Sequence, residues 1–419
     1  MIYTKKVKQR LFGLYVLLIF FPLILLAQTD WIKYQLNPVM GDDLFNGVPA
    51  VKPFAIEDKG LFRIIYTGWD MNGKRTISDA LSFNGVRWYQ LIGSPLLTAG
   101  GAGSFDEYGI SKACVIKDND GYKMYYYAEN KYPHSIGLAT SADGLHWSKY
   151  PDNPILLPGY SGAWDDAGVM ATTVIYEGGS VYRMYYQGSS GEYANIGYAT
   201  SGDGINWEKY SHNPVLRHGD SGEFDELTSG EPNIVHAAGR YHLFYTGTNS
   251  ANRNKIGYAY SLDGFNWAKY NHNPILDAGS SLWEYQCVSA PTVIYKDSIF
   301  HMWYSGWCAG QATNIGYAIS FLDTTFSGNT ANNGYRLEQN YPNPFNFGTQ
   351  INYNVPRASN VVFKIYDLLG QEVTTLINDK KESGDYTLRW NADGLASGIY
   401  FYRIIVDDFT QTKKMVLLK

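Results

Sequence analysis

The chain has 419 residues, 45% hydrophobic and 16% aromatic, with 36 Tyr and 11 Trp. That is enough for two or three domains and favours strands, where flat side chains pack on pleated surfaces. A formal net charge of −5, with no basic run beyond the extreme N-terminus, argues against nucleic-acid binding.

Residues 1–27 are predicted to be a secretory signal. Lys5, Lys6, Lys8 and Arg10 form a basic start, "LFGLYVLLIFFPLILLA" an apolar stretch, and Ala27 a small residue before the cleavage point. A retained membrane anchor is the alternative. No later stretch is apolar enough to span a bilayer. Next comes "DWIKYQLNPVM", residues 30–40, which reads like the end of a repeat whose complete copies lie far downstream.

Those copies are "IGLATSADGLHWSKYPDNPIL" from Ile136, "IGYATSGDGINWEKYSHNPVL" from Ile196 and "IGYAYSLDGFNWAKYNHNPIL" from Ile256, at a spacing of 60 residues. A divergent copy carries Trp88, and "IGYAIS" from Ile315 is incomplete. Between them recur pairs of apolar runs around short polar turns, such as "ATTVIYEGGSVYRMYYQG" and "APTVIYKDSIFHMWYSG". The "IGYATS" word makes a third strand. An Asp-Gly or Asn-Gly turn leads to a fourth carrying the Trp-x-Lys-Tyr word. Four strands in a repeat of about 60 residues is the pattern of a propeller blade. First strands begin near Val48, Lys112, Ala171, Glu231 and Ala290, which gives five blades. The fifth lacks its last strand, and the only spare one is residues 31–34. The expected fold is therefore all-β: a five-bladed β-propeller closed by an N-terminal strand, then a small immunoglobulin-like β-sandwich. Closure removes exposed sheet edges.

This wording resembles the five-bladed propeller glycoside hydrolases of families 32, 43, 68, 117 and 130 over residues 30–320. The "S-x-D-G-x-x-W" pieces also resemble the Asp box of sialidases, one residue short; Asp143, Asp203 and Asp263 are read as turn-formers. After a polar linker, residues 321–336, the pieces "NYPNPFN", "YDLLGQEV" and "LASGIYFYRI" and a Lys-rich end resemble the type IX secretion system C-terminal sorting domain of Bacteroidota, residues 337–419. The resemblance implies passage through the periplasm and across the outer membrane to the surface or beyond. It makes the secretion machinery a partner beside carbohydrate; a monomer is expected.

Chemistry should sit where first-strand entries and second-to-third-strand loops share a face. Phe105-Asp106, Trp164-Asp165, Phe224-Asp225 and Trp283-Glu284 recur in register there, which suits a structural role. Glu231 in "SGEPNIV" has no acid in register in the other repeats. In the resembling hydrolases a Glu at such a position is the general acid. Hydrolysis needs a second carboxylate, about 5–5.5 Å away for retention or 6.5–9.5 Å for inversion. The inner strands offer none, so Asp106 or Asp165 must come from a loop, or the pocket only binds. The sequence leaves open a secreted glycosidase, a non-catalytic carbohydrate-binding or adhesion propeller, and a protein-interaction scaffold. Trp69, Tyr132, Tyr193 and Trp307 could stack on sugar rings, with Arg253 as a polar partner. Cys287 and Cys308 fall in two loops of one blade and are expected to form a disulfide, leaving Cys114 as a buried thiol. No zinc spacing, phosphate loop or nucleophile elbow occurs. No metal or cofactor is expected, and a channel calcium has no support.

Overall fold

The computed structural model describes residues 26–28, 31–41, 49–91, 94–129, 133–310, 313–324, 334–407 and 409–419. Most of the signal segment, Asp42, Asp43, Val48, Tyr132 and the central part of the linker lie outside them. Among these residues, apart from one 3-10 turn, Leu282–Glu284, the regular structure is all strand.

Four antiparallel strands make each repeating unit. Unit one is Val51–Asp58, Leu61–Trp69, Arg75–Ser82 and Tyr89–Gln90. Unit two is Ile110–Asp118, Gly121–Ala128, Ser135–Ser141 and Ser148–Lys149. Unit three is Gly168–Tyr176, Tyr182–Ser189, Ala194–Ser201 and Glu208–Lys209. Unit four is Thr228–Ala237, Arg240–Thr248, Asn254–Ser261 and Ala268–Lys269. Unit five is Cys287–Lys296, Ile299–Trp307 and Asn314–Thr324, with Ile32–Lys33 from the far end of the chain as its fourth strand. Each first strand packs against those of the two neighbouring units, and the fifth packs on the first.

Alternation along the second strands builds the core. In unit two Tyr125 points one way and Tyr126 the other, both fully buried. Tyr125 meets Trp207 of unit three edge-on at 5.8 Å, as Tyr185 meets Trp267 of unit four. Phe244 meets Trp31 at 5.8 Å and Trp303 meets Trp88 at 5.9 Å, so both seams across the chain ends repeat the internal ones. Tyr34 crosses Tyr317 at 6.4 Å and 72°, as Tyr210 crosses Tyr198 at 6.0 Å and 75°.

The Asp-Gly turns are structural. Asp143, Asp203 and Asp263 each accept two backbone amides from the residues two and three positions on. The following glycines have φ of 74° to 85°, where a Cβ would be strained.

The C-terminal module has two antiparallel sheets. One holds Ser359–Tyr366, Glu372–Lys381, Gly398–Val406 and Phe409–Leu417; the other holds Arg336–Leu337, Gly348–Val355 and Gly384–Asn391. Tyr353, Phe363, Trp390 and Tyr402 fill the core between them. The module rests on unit five, where Leu369 O accepts from the Tyr317 hydroxyl at 3.1 Å and Phe321 packs on Phe401 at 4.9 Å.

Candidate functional site

A bulge near the start of every first strand positions the site. Lys52, Lys112, Ala171, Glu231 and Ala290 sit there with φ of 37° to 52°, a left-handed region that costs non-glycine residues about 1–2 kcal/mol. The bulge frees a backbone amide from the ladder. In four units a side chain of the preceding unit accepts from it: Ser305 for Lys52, Thr67 for Lys112, Gln187 for Glu231 and Thr246 for Ala290. Interlocking of neighbours offsets the strain.

This register corrects the sequence alignment in unit one. The mate of Glu231 is Lys52, not Val48. Lys52-Pro53 matches Glu231-Pro232 and Ala290-Pro291, a signal present in the sequence.

Residues of units one, two and four meet at the ring axis. Lys52 Nζ lies 3.7 Å from Glu231 Oε1, and Lys112 Nζ donates to Glu231 O at 3.2 Å. Glu231 Oε2 accepts from Thr246 Oγ1 at 2.9 Å and from the Ala290 amide at 3.0 Å. Burial pushes the Glu231 carboxyl up, but Lys112, Lys52 and those two donors outweigh it and hold it below its ordinary range. These contacts favour the ionised form of the Glu231 carboxylate, whereas the general-acid role expected from sequence needs the protonated one. Burial brings the Lys112 ammonium down to about 8, against the pull of Glu231. Lys52 is raised: burial opposes its charge, but Tyr127 and Glu231 favour it more.

From Lys52 the network runs outward to Glu129 and Arg75, both more exposed than Glu231. Lys52 Nζ donates to Tyr127 Oη at 2.7 Å, and Tyr127 donates to Glu129 Oε1 at 3.3 Å. Arg75 pairs with Glu129, and its guanidinium lies 5.6 Å from the centre of the Trp69 ring. These links keep the Glu129 carboxylate no more than about 10 Å from that of Glu231. The sequence reading missed Glu129. It sits three residues beyond Tyr126, and the matching positions are Trp69, Ser189, Thr248 and Trp307. Like Glu231, it is an acid with none in register.

Asp106 and Asp165 are placed differently. Asp106 accepts from Lys149 at 2.5 Å and Tyr126 at 3.2 Å; Asp165 accepts from Lys209 at 2.6 Å and Tyr186 at 3.3 Å. Asp225 and Glu284 repeat the arrangement with Lys269 and Tyr245, and with Lys33 and Tyr304. All four acids are buried and tie the loop to the second and fourth strands of one unit.

Of the aromatic residues singled out from sequence, Trp69 joins the network through Arg75. Tyr193 stacks on His218 at 4.4 Å, Arg253 donates to Gln286 O at 3.3 Å, and Trp307 is 42% exposed. The expected Cys287–Cys308 disulfide is not formed: all three cysteines are free thiols. Cys287 Sγ accepts instead from the Asn254 amide and donates to Asn252 O. Among the described residues no group of three His, Cys, Asp or Glu is arranged to hold a metal.

A ring of four-stranded antiparallel sheets with charged groups converging on its centre is the arrangement of a β-propeller with a candidate site at the middle of the ring. Residues 172–323 match the glycosyl hydrolases family 32 N-terminal domain, and residues 339–418 match the secretion system C-terminal sorting domain. An uncharacterized protein of Mycobacterium tuberculosis is 26% identical over 276 residues, 62% of this chain and 88% of that one. A 1,2-beta-oligomannan phosphorylase of a Thermoanaerobacter species is 33% identical over 103 residues, 23% of this chain and 34% of that protein. The fold is similar to that of a beta-1,2-mannobiose phosphorylase of Listeria innocua, with a TM-score of 0.57 at 16% identity over 70% of this chain and 97% of that one. The chain thus joins a glycoside-hydrolase-like, propeller-type part to a sorting domain that implies export to the cell surface or secretion.

Proposed function

We propose that this is a secreted five-bladed propeller that cleaves glycosidic bonds in a poly- or oligosaccharide through carboxylate chemistry. Residues 1–27 are its signal peptide, 28–320 the propeller, 321–336 a linker and 337–419 an immunoglobulin-like sorting sandwich read by type IX machinery. The observation that carries this reading is Glu231, an ionised carboxylate held at the axis by Lys52 and Lys112. Glu231 acts as base or nucleophile. Glu129, within about 10 Å, supplies the opposing carboxyl. Trp69 offers a flat face for a sugar ring. The likeness to phosphorylases of beta-1,2-linked mannosides supports a sugar substrate.

A second reading, saccharide binding without turnover, is favoured by the Arg75–Glu129 pair. An arginine against that carboxylate opposes the proton a general acid must carry. Turnover of aryl glycosides and of plant, algal and mannan polysaccharides by the full chain separates the two. With Glu231→Gln, kcat/KM should fall by about 10²–10⁴. Binding without turnover in both proteins would establish the second reading.

A further inference from the structure

The axial cluster is unbalanced. Among the described residues, Lys52, Lys112 and Arg75 face only Glu231 and Glu129 along the network, so three cations meet two carboxylates. Lys112 is the extreme case. It is only 2% exposed, and its ammonium, with three donors, has one acceptor among the described residues, the main-chain oxygen of Glu231. A carbonyl carries no charge to offset an ammonium. The nearby carboxylate of Glu231 is already shared among Lys52, Thr246 and the Ala290 amide. A buried cation with unused donors is costly unless a counter-charge arrives.

We propose that the axis receives the acidic group of an anionic saccharide, a uronate carboxylate or a sulfate ester, with Lys112 and Lys52 as its ligands. The proposal rests on the saccharide reading above and narrows it to acidic glycans. Trp69 and Arg75 lie further out, where the sugar next to the acidic one would reach. Charge-assisted hydrogen bonds to an oxyanion satisfy donors that a neutral hydroxyl engages more weakly. Lys112 is then a specificity-determining residue that binds substrate and makes no bond change.

The test is glycan binding by the full chain on paired probes: polygalacturonate and alginate for carboxylates, carrageenan for sulfate esters, and galactan and mannan as neutral counterparts. The expected result is at least about tenfold tighter binding to one acidic class, weakening as NaCl is raised. Uronate or sulfated probes, whichever bind, identify the acidic group. Lys112→Met and, separately, Lys52→Met should each reduce the acidic-to-neutral ratio by about tenfold. The salt dependence of the unaltered protein tests the proposal even if a variant fails to fold. Equal binding of neutral probes would overturn the proposal while leaving the saccharide reading intact. No binding to any probe, together with no turnover, would overturn both. Competition by inorganic phosphate without any acidic preference would also overturn it.

Discussion

Lys33 Nζ donates to Glu284 Oε2 at 2.9 Å across 251 positions of sequence, and Tyr304 donates to the same oxygen at 3.0 Å. Lys209, Asp165 and Tyr186 make the same arrangement within unit three over 44 positions. The N-terminal segment thus occupies the place in unit five that Glu208–Lys209 occupies in unit three. Lys33→Met should destabilise the protein by about 1–3 kcal/mol, as should Lys209→Met, because each leaves a buried acid without its cation. Matched urea titrations check this. An effect confined to Lys209→Met would show that Lys33 does not stabilise Glu284 as Lys209 stabilises Asp165.

Removing the segment altogether should do more. Deleting residues 28–40 takes away Trp31, Val39 and Met40, the last two fully or almost fully buried. The loss should be on the order of 5 kcal/mol from apolar burial alone, with unit five left open at an edge. Trp31→Ala by itself should cost about 2–3 kcal/mol, below the usual range for a fully buried aromatic because Trp31 is half-buried. An unchanged melting temperature of the deletion would refute closure of the ring.

The acids should divide into two kinds. Asp165→Asn should lower stability by about 2 kcal/mol, since Lys209 loses its charged partner, yet leave activity or binding per folded molecule within about twofold. Glu231→Gln and Glu129→Gln should lower activity or binding per folded molecule far more than twofold, whatever their cost in stability. Loss of function with Asp165→Asn in a stably folded protein would return that residue to the site.

Acid should destabilise the protein through two buried histidines. Burial lowers His242 and His301 to about 4 from an ordinary value of 6.5. Between those values the unfolded chain takes up protons that the folded protein refuses. The stability is therefore present above pH 6.5 and is lost as pH falls through about 4. Each histidine contributes about 3 kcal/mol to that loss. Denaturant titrations at pH 7 and 4.5 should show a steeper decline for the unaltered protein than for His242→Gln or His301→Gln. Parallel declines would remove the histidines from the explanation.

Reducing agent should leave the melting temperature unchanged, because Cys287 and Cys308 are free thiols. A maleimide should label Cys308, which is partly exposed, well before the buried Cys114 and Cys287. A drop in melting temperature on reduction would point to a disulfide.

The sequence by itself determined the repeat, the strand order within it and the Asp-Gly turns, because each depends on local spacing. It also exposed Glu231, as an acid that breaks the repeat. Glu129 breaks it just as clearly but lies at the end of a strand, where the loop reading obscured its register. Only the tertiary structure decided what the charges do. The bulge at Lys52 shifts unit one by four positions from the sequence alignment, which brings a second lysine to the axis. The two lysines beside Glu231 come from units one and two, over a hundred residues away, so no local pattern specifies them. The paired acids Asp106 and Asp165 looked available from their loops. Folding brought Lys149 and Lys209 onto them, because a carboxylate buried beneath a strand is tolerated only with a cation beside it.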